Sequence, residues 1–274
     1  VGLLTTGGEA LIRGSLAAAK RLGVSPLLSG LVIVGFGTSS PELVVSIDAA
    51  LNSRPDIAVG NVVGSNIGNI LLILGLCALI SPMAVKPLAL RRDAVTVVGA
   101  SVLFLILVGG SALGRPDAAI FLLALAAYLG WAYWTERSGN APSAELYQAE
   151  STELSALPKT ALWIITAIVL GLVLLIAGSQ ILLKGAVGIA DVAIGNILGS
   201  NIFNLLGILG ISALLQPLPV HARILQFDQW VMLATAILLL IFLYTGRRLS
   251  RIEGGILLFG YCLYVGLSFT TFGV

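Results

Sequence analysis

The sequence predicts an all-α, polytopic membrane protein made of two five-helix repeats in inverted orientation. Its mean hydropathy is +1.04 and only 10% of its residues are charged, a composition typical of multi-pass membrane proteins. Several apolar runs reach the roughly 20 residues that a helix needs to cross a hydrocarbon core about 30 Å thick. Two segments of the chain are also near-copies of each other, which indicates an internal duplication.

Nine apolar segments are long enough to be membrane-spanning helices. Between the fifth and the sixth, residues 137–159 are rich in Ser, Glu, Ala and Pro and are predicted to form a cytoplasmic linker. The linker separates a first repeat, residues 1–136, from an incomplete second repeat, residues 160–274. Cys77 and Cys262 lie in apolar segments, where we expect no disulfide. The nine segments are 1–19, 27–51, 57–80, 93–113, 117–136, 160–189, 192–215, 228–246 and 252–272.

The duplication is clearest in a segment rich in glycine and asparagine. Asp56–Gly75 (DIAVGNVVGSNIGNILLILG) aligns without a gap to Asp191–Gly210 (DVAIGNILGSNIFNLLGILG) at an offset of 135, with 13 identities in 20 positions. Upstream, Gly7–Ala19 aligns with Gly178–Ala190, but at an offset of 171. The second copy is therefore shorter by about 36 residues, the counterpart of Lys20–Pro55.

We expect the natural protein to contain this missing helix between Ala190 and Asp191. Lys and Arg concentrate in the cytoplasmic loops of membrane proteins, so their distribution tests the number of helices. With nine helices, Arg247, Arg248 and Arg251 fall on the outer side, whereas a tenth helix returns them to the cytoplasmic side. Eleven of the 15 basic residues then lie inside. Five helices per repeat is an odd number, so the second repeat enters the membrane from the opposite side.

The segment GFGTSSPELVVS, Gly35–Ser46, places a proline and a glutamate in the middle of an apolar helix. Pro41 has no N–H and its ring crowds the preceding turn, so the helix is predicted to break there and leave carbonyl oxygens free. Free oxygens at membrane depth are tolerated where they line a polar cavity. With the hydroxyls of Thr38 and Ser39 and the carboxylate of Glu42, they form an all-oxygen ligand set that suits Na⁺ or Ca²⁺. An alternative is a capping box, in which Ser39 and Glu42 only cap the helix.

Polar side chains also recur in the two duplicated segments. Asn and Ser occupy positions i, i+4 and i+8, which lie on one face of a helix. Their oxygens are neutral ligands that can sit beside a carboxylate. The alternative is hydrogen bonding between helices, and glycines on a neighbouring face fit close helix packing. The six residues are Asn61, Ser65 and Asn69 in the first copy and Asn196, Ser200 and Asn204 in the second.

These motifs carry a resemblance to a known family. Gly37-Thr38-Ser39-Ser40-Pro41-Glu42, followed by GNVVGSNIGN and, in the second half, by GNILGSNIFN, resembles the alpha repeats of the sodium/calcium exchanger family in the cation/Ca²⁺ exchanger superfamily. The resemblance implies ten transmembrane helices, inverted repeats and electrogenic exchange of several Na⁺ for one Ca²⁺ by alternating access.

The resemblance also implies a role for each residue that matches the motif. Glu42 is the expected acidic ligand shared by Ca²⁺ and Na⁺, and Asn69 lies beside the middle site. The remaining expected ligands are the backbone carbonyl of Thr38 for Ca²⁺, Ser39 and the carbonyl of Gly35 for Na⁺, and the hydroxyls of Ser65 and Ser200.

The sequence departs from the family pattern at two points. The second acidic ligand and its Thr or Ser partners belong to the helix missing between Ala190 and Asp191. Asn204 stands where many exchangers carry an aspartate, so the site holds two carboxylates rather than three, and the coupling ratio and the Ca²⁺ preference stay open. The acidic motif lacks the asparagine of the proton-coupled branch, which favours Na⁺; H⁺- or K⁺-coupled antiport of Ca²⁺ or another cation is the alternative.

A remote alternative from another class is an intramembrane serine hydrolase. Gly37-Thr38-Ser39 offers a G-x-S nucleophile and His221, the sole histidine, offers a base, but neither gives the duplicated asparagines a role. A membrane scaffold is a further alternative. We expect a transporter that is not an enzyme and needs no cofactor, with Na⁺, Ca²⁺ and the lipid bilayer as its partners and no nucleic acid, given a net charge of only +2. We also expect a functional monomer in the plasma (inner) membrane of a prokaryote.

Overall fold

A computed structural model describes residues 38–84, 90–137, 160, 166, 170, 190–246 and 248–272. The predicted segment 1–19 lies outside these residues, as do nearly all of 160–189, the proposed ligand Gly35 and residues 138–159 of the predicted linker.

The chain folds into two compact units, and each unit combines parts of both predicted repeats. One unit comprises Val1–Ser40 and Ala127–Ala186, and the other comprises Pro41–Ala126 and Val187–Val274. In the first unit, the described residues are 38–40, 127–137, 160, 166 and 170. The second unit contains most of the described helices, together with the two duplicated segments.

The described part of the chain is almost entirely helical, with four very short strands. Four of its helices include a π-helical segment, and each such helix is written below as consecutive pieces. In chain order the elements are α1 (Ser40–Leu51), α2 (Pro55–Gly68, π-helical Asn69–Leu74 and Gly75–Ile80), β1 (Met83–Ala84), α3 (π-helical Leu90–Ala94 and Val95–Val108), β2 (Ala112–Leu113), α4 (Arg115–Arg137), α5 (Ala190–Ile202, π-helical Phe203–Ile208 and Leu209–Leu215), β3 (Leu218–Pro219), α6 (π-helical Ile224–Asp228 and Gln229–Gly246), β4 (Arg248–Leu249) and α7 (Arg251–Phe272).

Five of the described helices are long and apolar enough to cross a membrane: Pro55–Ile80, Arg115–Thr135, Ile194–Leu215, Ile224–Thr245 and Arg251–Phe272. Large apolar side chains on their outer faces are open to the surroundings, with Leu123 70% and Phe259 69% exposed. A soluble protein seldom exposes so much apolar surface, whereas lipid accommodates it. The all-α membrane fold predicted from composition is confirmed.

The boundaries of α3 and α6 correct the predicted segments. The segment 93–113 is too long at its C-terminal end, because the helix stops at Val108 and Ser111 takes a positive φ of 65°. Both helices also begin before the predicted residue, at Leu90 and Ile224. Within these first turns, Asp93 pairs with Arg92 and Asp228 pairs with Arg223, so the acidic charges are neutralised in the fold.

The strands join the two repeats to each other. β1 pairs antiparallel with β4, and β2 pairs antiparallel with β3. In each pair, one strand comes from the first repeat and the other from the second. Met83 of β1 and Leu218 of β3 occupy equivalent positions at the offset of 135, so the two ladders are copies of one contact. The repeats therefore interlock rather than fold side by side.

Helices of one repeat also pack against helices of the other repeat. The final helix of the second repeat, α7, lies against the C-terminal part of α2, where Gly254 approaches Gly75 so closely that a Cβ on Gly254 would lie 2.8 Å from the Gly75 carbonyl oxygen. At the equivalent place in the other repeat, a Cβ on Gly210 of α5 would lie 2.9 Å from the side chain of Leu122 on α4. Glycine is needed at Gly254 because backbone atoms fill the space, whereas Gly210 leaves room for the half-buried Leu122 side chain.

Candidate cation-binding site

Glu42 lies in the first turn of α1. The helix begins at Ser40, so Pro41 stands where its missing N–H breaks no helical hydrogen bond. The Glu42 side chain is half-buried, and its Oε2 atom is buried without a hydrogen-bond partner among the described residues. Buried carboxylate oxygens are normally hydrogen-bonded in folded proteins, so this atom is a candidate for binding a cation.

Thr38 and Ser39 immediately precede this helix. Thr38 is half-buried, and Ser39 is 2% exposed with an Oγ that has no hydrogen-bond partner among the described residues. A capping box would require that oxygen to accept a hydrogen bond from the helix, so the capping alternative does not hold. The third expected ligand in this stretch, Gly35, lies outside the described residues.

Asn61 of α2 binds the helix that carries Glu42. Its Nδ2 donates to the backbone oxygen of Glu42 at 3.1 Å and to Ser46 Oγ at 3.0 Å. Ser46 in turn donates to the Ala58 carbonyl at 3.4 Å. These bonds hold the acidic residue beside α2, the helix that also carries Ser65. Glu42 therefore lies beside α2, the first copy of the asparagine helix.

The two copies of the asparagine helix meet at equivalent residues. Asn66 Nδ2 donates to the Asn201 backbone oxygen at 3.4 Å, and Asn201 Nδ2 donates to the Asn66 backbone oxygen at 3.2 Å. Asn66 and Asn201 are 135 positions apart, the offset of the duplication. A reciprocal bond between a residue and its own copy is what a two-fold relation between the repeats requires.

A second pair of bonds obeys the same relation. Asn69 Nδ2 donates to Asn201 Oδ1 at 2.9 Å, and its copy, Asn204 Nδ2, donates to Asn66 Oδ1 at 3.2 Å. Asn204 Nδ2 also donates to Ser65 Oγ at 3.1 Å. The structure thus brings together three of the expected ligands, Ser65, Asn69 and Asn204.

Asn204 and Ser200 are both buried in α5, one helical turn apart. The Asn204 side chain is fully buried, and its Oδ1 has no hydrogen-bond partner among the described residues. An amide oxygen in that condition is desolvated without compensation, in the same way as Glu42 Oε2. Both atoms are hard oxygen acceptors of the kind that Na⁺ and Ca²⁺ prefer.

Asn66 and Asn201 were not among the residues expected at the site. They lie off the face that Asn61, Ser65 and Asn69 share, so helical spacing alone passes over them. The available signal was the repeated tripeptide Gly-Ser-Asn, which is identical in the two copies. It marks the place where the copies touch.

The described residues contain no group of three or more His, Cys, Asp or Glu side chains able to hold a metal ion. Two further buried acidic residues have cationic partners. Asp93 Oδ1 lies 2.6 Å from Arg92 Nε, and Asp228 Oδ2 lies 3.2 Å from Arg223 Nε. Tyr264 also donates to Asp228 Oδ1 at 3.0 Å. Glu42 differs from both residues because no cationic side chain is found beside it in the described part of the chain.

Known proteins resemble this chain over nearly its whole length. The family described as "Sodium/calcium exchanger protein" matches residues 1–134 and 164–270. CaxA of Alkalimonas amylolytica is 35% identical over 311 residues, which cover 98% of this chain and 96% of that protein. Inner membrane protein YrbG of Escherichia coli (strain K12) is 33% identical over 282 residues, covering 87% and 85%. A solved structure of the sodium-calcium exchanger NCX_Mj matches with a TM-score of 0.71 at 24% identity, covering 96% of this chain and 94% of that chain.

Proposed function

The chain belongs to the sodium/calcium exchanger protein family, and we propose that it is a secondary active antiporter that exchanges Na⁺ for Ca²⁺ by alternating access. One observation supports this function best. Glu42 Oε2 is buried, has no hydrogen-bond partner among the described residues, and belongs to a residue held beside a helix that carries the neutral oxygens of Asn and Ser side chains. A carboxylate at membrane depth costs at least about 2.5 kcal/mol on insertion scales, so a purely structural role is a poor explanation for it.

The charge of Glu42 supplies the coupling between the two ions. An ionised, desolvated carboxylate is tolerated when cations compensate it, so the empty carrier resists the change between outward-open and inward-open states. Binding either Ca²⁺ or several Na⁺ neutralises the site and permits that change. Because the empty carrier does not make this change, one ion crosses only in exchange for the other, and neither ion leaks.

The proposed ligand set combines one carboxylate with neutral oxygens. Glu42 supplies the charge, and the hydroxyl and amide oxygens of the duplicated helices complete the coordination without adding to it. Thr38, Ser39 and Gly35 enter the set through the family motif. The residues proposed to bind cations are Glu42, Thr38, Ser39, Gly35, Ser65, Asn69, Ser200 and Asn204.

We propose that the protein is a transporter and not an enzyme. The family to which it belongs is one of exchangers, and we propose that Na⁺ and Ca²⁺ bind as transported substrates and that no cofactor is needed. The serine hydrolase alternative requires a base beside Ser39 Oγ, but that atom has no hydrogen-bond partner among the described residues. The proposed site of action is the plasma (inner) membrane of a prokaryote, in line with the name of the inner membrane protein YrbG, and the proposed functional form is a monomer.

Counter-ion replacement in proteoliposomes tests the function. Purified protein is reconstituted, the vesicles are loaded with NaCl, KCl or a proton buffer, and uptake of radioactive Ca²⁺ is followed after dilution into a medium free of the loaded ion. The proposal predicts uptake driven by the Na⁺ gradient alone. Uptake driven equally by a proton or K⁺ gradient would favour the H⁺- or K⁺-coupled alternative instead.

A further inference from the structure

Asn66 and Asn201 hold the amide groups of two proposed ligands in a fixed orientation. Each of them presents its side-chain oxygen to an asparagine of the opposite repeat: Asn66 Oδ1 accepts from Asn204, and Asn201 Oδ1 accepts from Asn69. The amide group of an asparagine side chain has two N–H donors on its nitrogen, Nδ2, and one acceptor, its carbonyl oxygen Oδ1. Fixing the donors therefore also fixes where the carbonyl oxygen points.

The orientation of Asn204 is determined by its neighbours. Ser65 donates its hydroxyl hydrogen to the Val62 carbonyl at 3.1 Å, which leaves Ser65 Oγ to accept from Asn204 Nδ2. Asn66 uses its Nδ2 to bond the Asn201 backbone oxygen, so its Oδ1 is the atom that meets Asn204. If the Asn204 amide were flipped, its oxygen would face Ser65 Oγ and Asn66 Oδ1, which are both acceptors.

With both N–H groups of Asn204 engaged, its Oδ1 lies on the other side of the amide, fully buried and unpartnered among the described residues. A buried acceptor left open in this way is costly for folding alone, because it loses its hydrogen bond to water. The cost is understandable if a cation fills the position when the protein is loaded.

We propose that Asn66 and Asn201 are positioning residues for cation binding: Asn66 holds Asn204, and Asn201 holds Asn69, with the amide oxygens directed to the ions. Neither residue is itself a ligand. This inference rests on the proposed exchange function. It assigns a role in that function to two residues that contact the cation-binding side chains and do not contact the cations themselves. It also explains why the pair contains asparagines, which both donate to a backbone oxygen and accept from a neighbour.

A purely structural role for Asn66 makes a different prediction. The bond from Asn66 Nδ2 to the Asn201 backbone oxygen joins α2 to α5, and any variant without an N–H group loses it. The bond from Asn204 to Asn66 Oδ1 needs only an acceptor. Asn66→Asp keeps the acceptor and loses the donor, whereas Asn66→Leu loses both at nearly the same volume.

The test compares these two variants in reconstituted vesicles, with KM for Ca²⁺ in Na⁺-driven uptake, maximal rate and Tm as readouts. We expect a lower Tm in both variants, because both lose the bond to the Asn201 backbone oxygen. We expect Asn66→Leu to raise KM about tenfold, and Asn66→Asp to leave it within about threefold of the wild-type value. Equal increases of KM in the two variants would overturn the inference.

A second experiment measures KM for the same two substitutions in a protein that already carries Asn204→Ala. If Asn66 acts through Asn204, Asn66→Leu should raise KM no further once Asn204 is gone, and Asn66→Asp in the same background measures the effect of the added charge alone. A further increase with Asn66→Leu in that background would overturn the inference. Should Asn66→Leu fail to fold, Asn201→Asp and Asn201→Leu, with Asn69→Ala as background, test the equivalent pair.

Transport by the wild-type protein distinguishes a failure of the positioning role from a failure of the proposed exchange function. Absence of Na⁺-driven Ca²⁺ uptake by wild-type vesicles would overturn the proposed function and the positioning role with it. Normal wild-type uptake together with equal effects of Asp and Leu at position 66 would overturn the positioning role alone.

Discussion

Asn61 donates a hydrogen bond from Nδ2 to the backbone oxygen of Glu42 at 3.1 Å. The same nitrogen bonds Ser46 Oγ at 3.0 Å, one helical turn further along α1. One side chain of α2 therefore fixes both the position and the rotation of the helix that carries the proposed acidic ligand. These bonds hold the backbone of Glu42 beside α2.

Removing this side chain should weaken cation binding. We expect Asn61→Ala to raise the KM for Ca²⁺ about five- to tenfold and to lower Tm, because two part-buried hydrogen bonds to α1 are lost. Asn52→Ala is the matched control, since the Asn52 side chain bonds Asp48 at the exposed end of α1. An unchanged KM in Asn61→Ala, or an equal change in the control, would show that Asn61 does not position Glu42.

Asn204→Asp should increase the response of the protein to Ca²⁺. The substitution adds a carboxylate where this chain has a neutral amide, but it loses the donors to Ser65 Oγ and Asn66 Oδ1. Without Ca²⁺ we expect a lower Tm than wild type, and with saturating Ca²⁺ a larger rise in Tm, since a ligand stabilises the state that binds it. A rise no larger than that of wild type would mean that position 204 does not contact the ion.

The contact between α2 and α7 should tolerate no side chain at Gly254. A Cβ there would lie 2.7 Å from the Leu79 nitrogen and 2.8 Å from the Gly75 oxygen, both backbone atoms that cannot move aside. We expect Gly254→Ala to lower stability by about 1–3 kcal/mol, measured as a fall in Tm. Gly255→Ala is the control, because its Cβ would meet no atom closer than 4.0 Å. Equal Tm values for the two variants would contradict the packing of α7.

The missing helix of the second repeat remains a prediction, and the relatives support it. The alignment with CaxA runs over 311 residues, more than the 274 of this chain, so at least 37 aligned positions of CaxA have no counterpart in this sequence. We expect the protein from its natural source to have an intact mass above 28.4 kDa and to carry a second Gly-Thr-Ser-x-Pro-Glu motif between Ala190 and Asp191. An intact mass of 28.4 kDa by mass spectrometry would refute this expectation.

Helical spacing predicted the polar face of α2 but not its partners. Asn61 and Ser65 share a face, yet Asn61 bonds α1 whereas Ser65 accepts from Asn204 of the other repeat. The partner of a side chain depends on how helices distant in sequence pack, and spacing within one helix does not specify that. Asn66 and Asn201 were overlooked for this reason, because only the two-fold relation brings a residue against its own copy.

The duplication was evident from the sequence, but the short strands and the π-helical segments were not. The offset of 135 predicted two equivalent halves, and the ladders of Met83–Ala84 with Arg248–Leu249 and of Ala112–Leu113 with Leu218–Pro219 bear this out. Strands of two residues have no periodicity to detect. The π-helical segments Asn69–Leu74 and Phe203–Ile208 likewise leave no mark in an apolar pattern, although such segments are frequent at functional sites.

Glu42→Gln tests the central claim most directly, with Asp48→Asn as the matched control. Both replace a carboxylate by an amide on α1, but Glu42 Oε2 is buried and unpartnered among the described residues, whereas Asp48 is exposed. In proteoliposomes loaded with Na⁺, we expect Glu42→Gln to reduce Ca²⁺ uptake by at least about a hundredfold, because removing one partner of a buried charge interaction costs about 3–5 kcal/mol. Asp48→Asn should retain wild-type uptake. Uptake by Glu42→Gln at the level of the control would contradict the assignment of Glu42 as the cation-binding carboxylate.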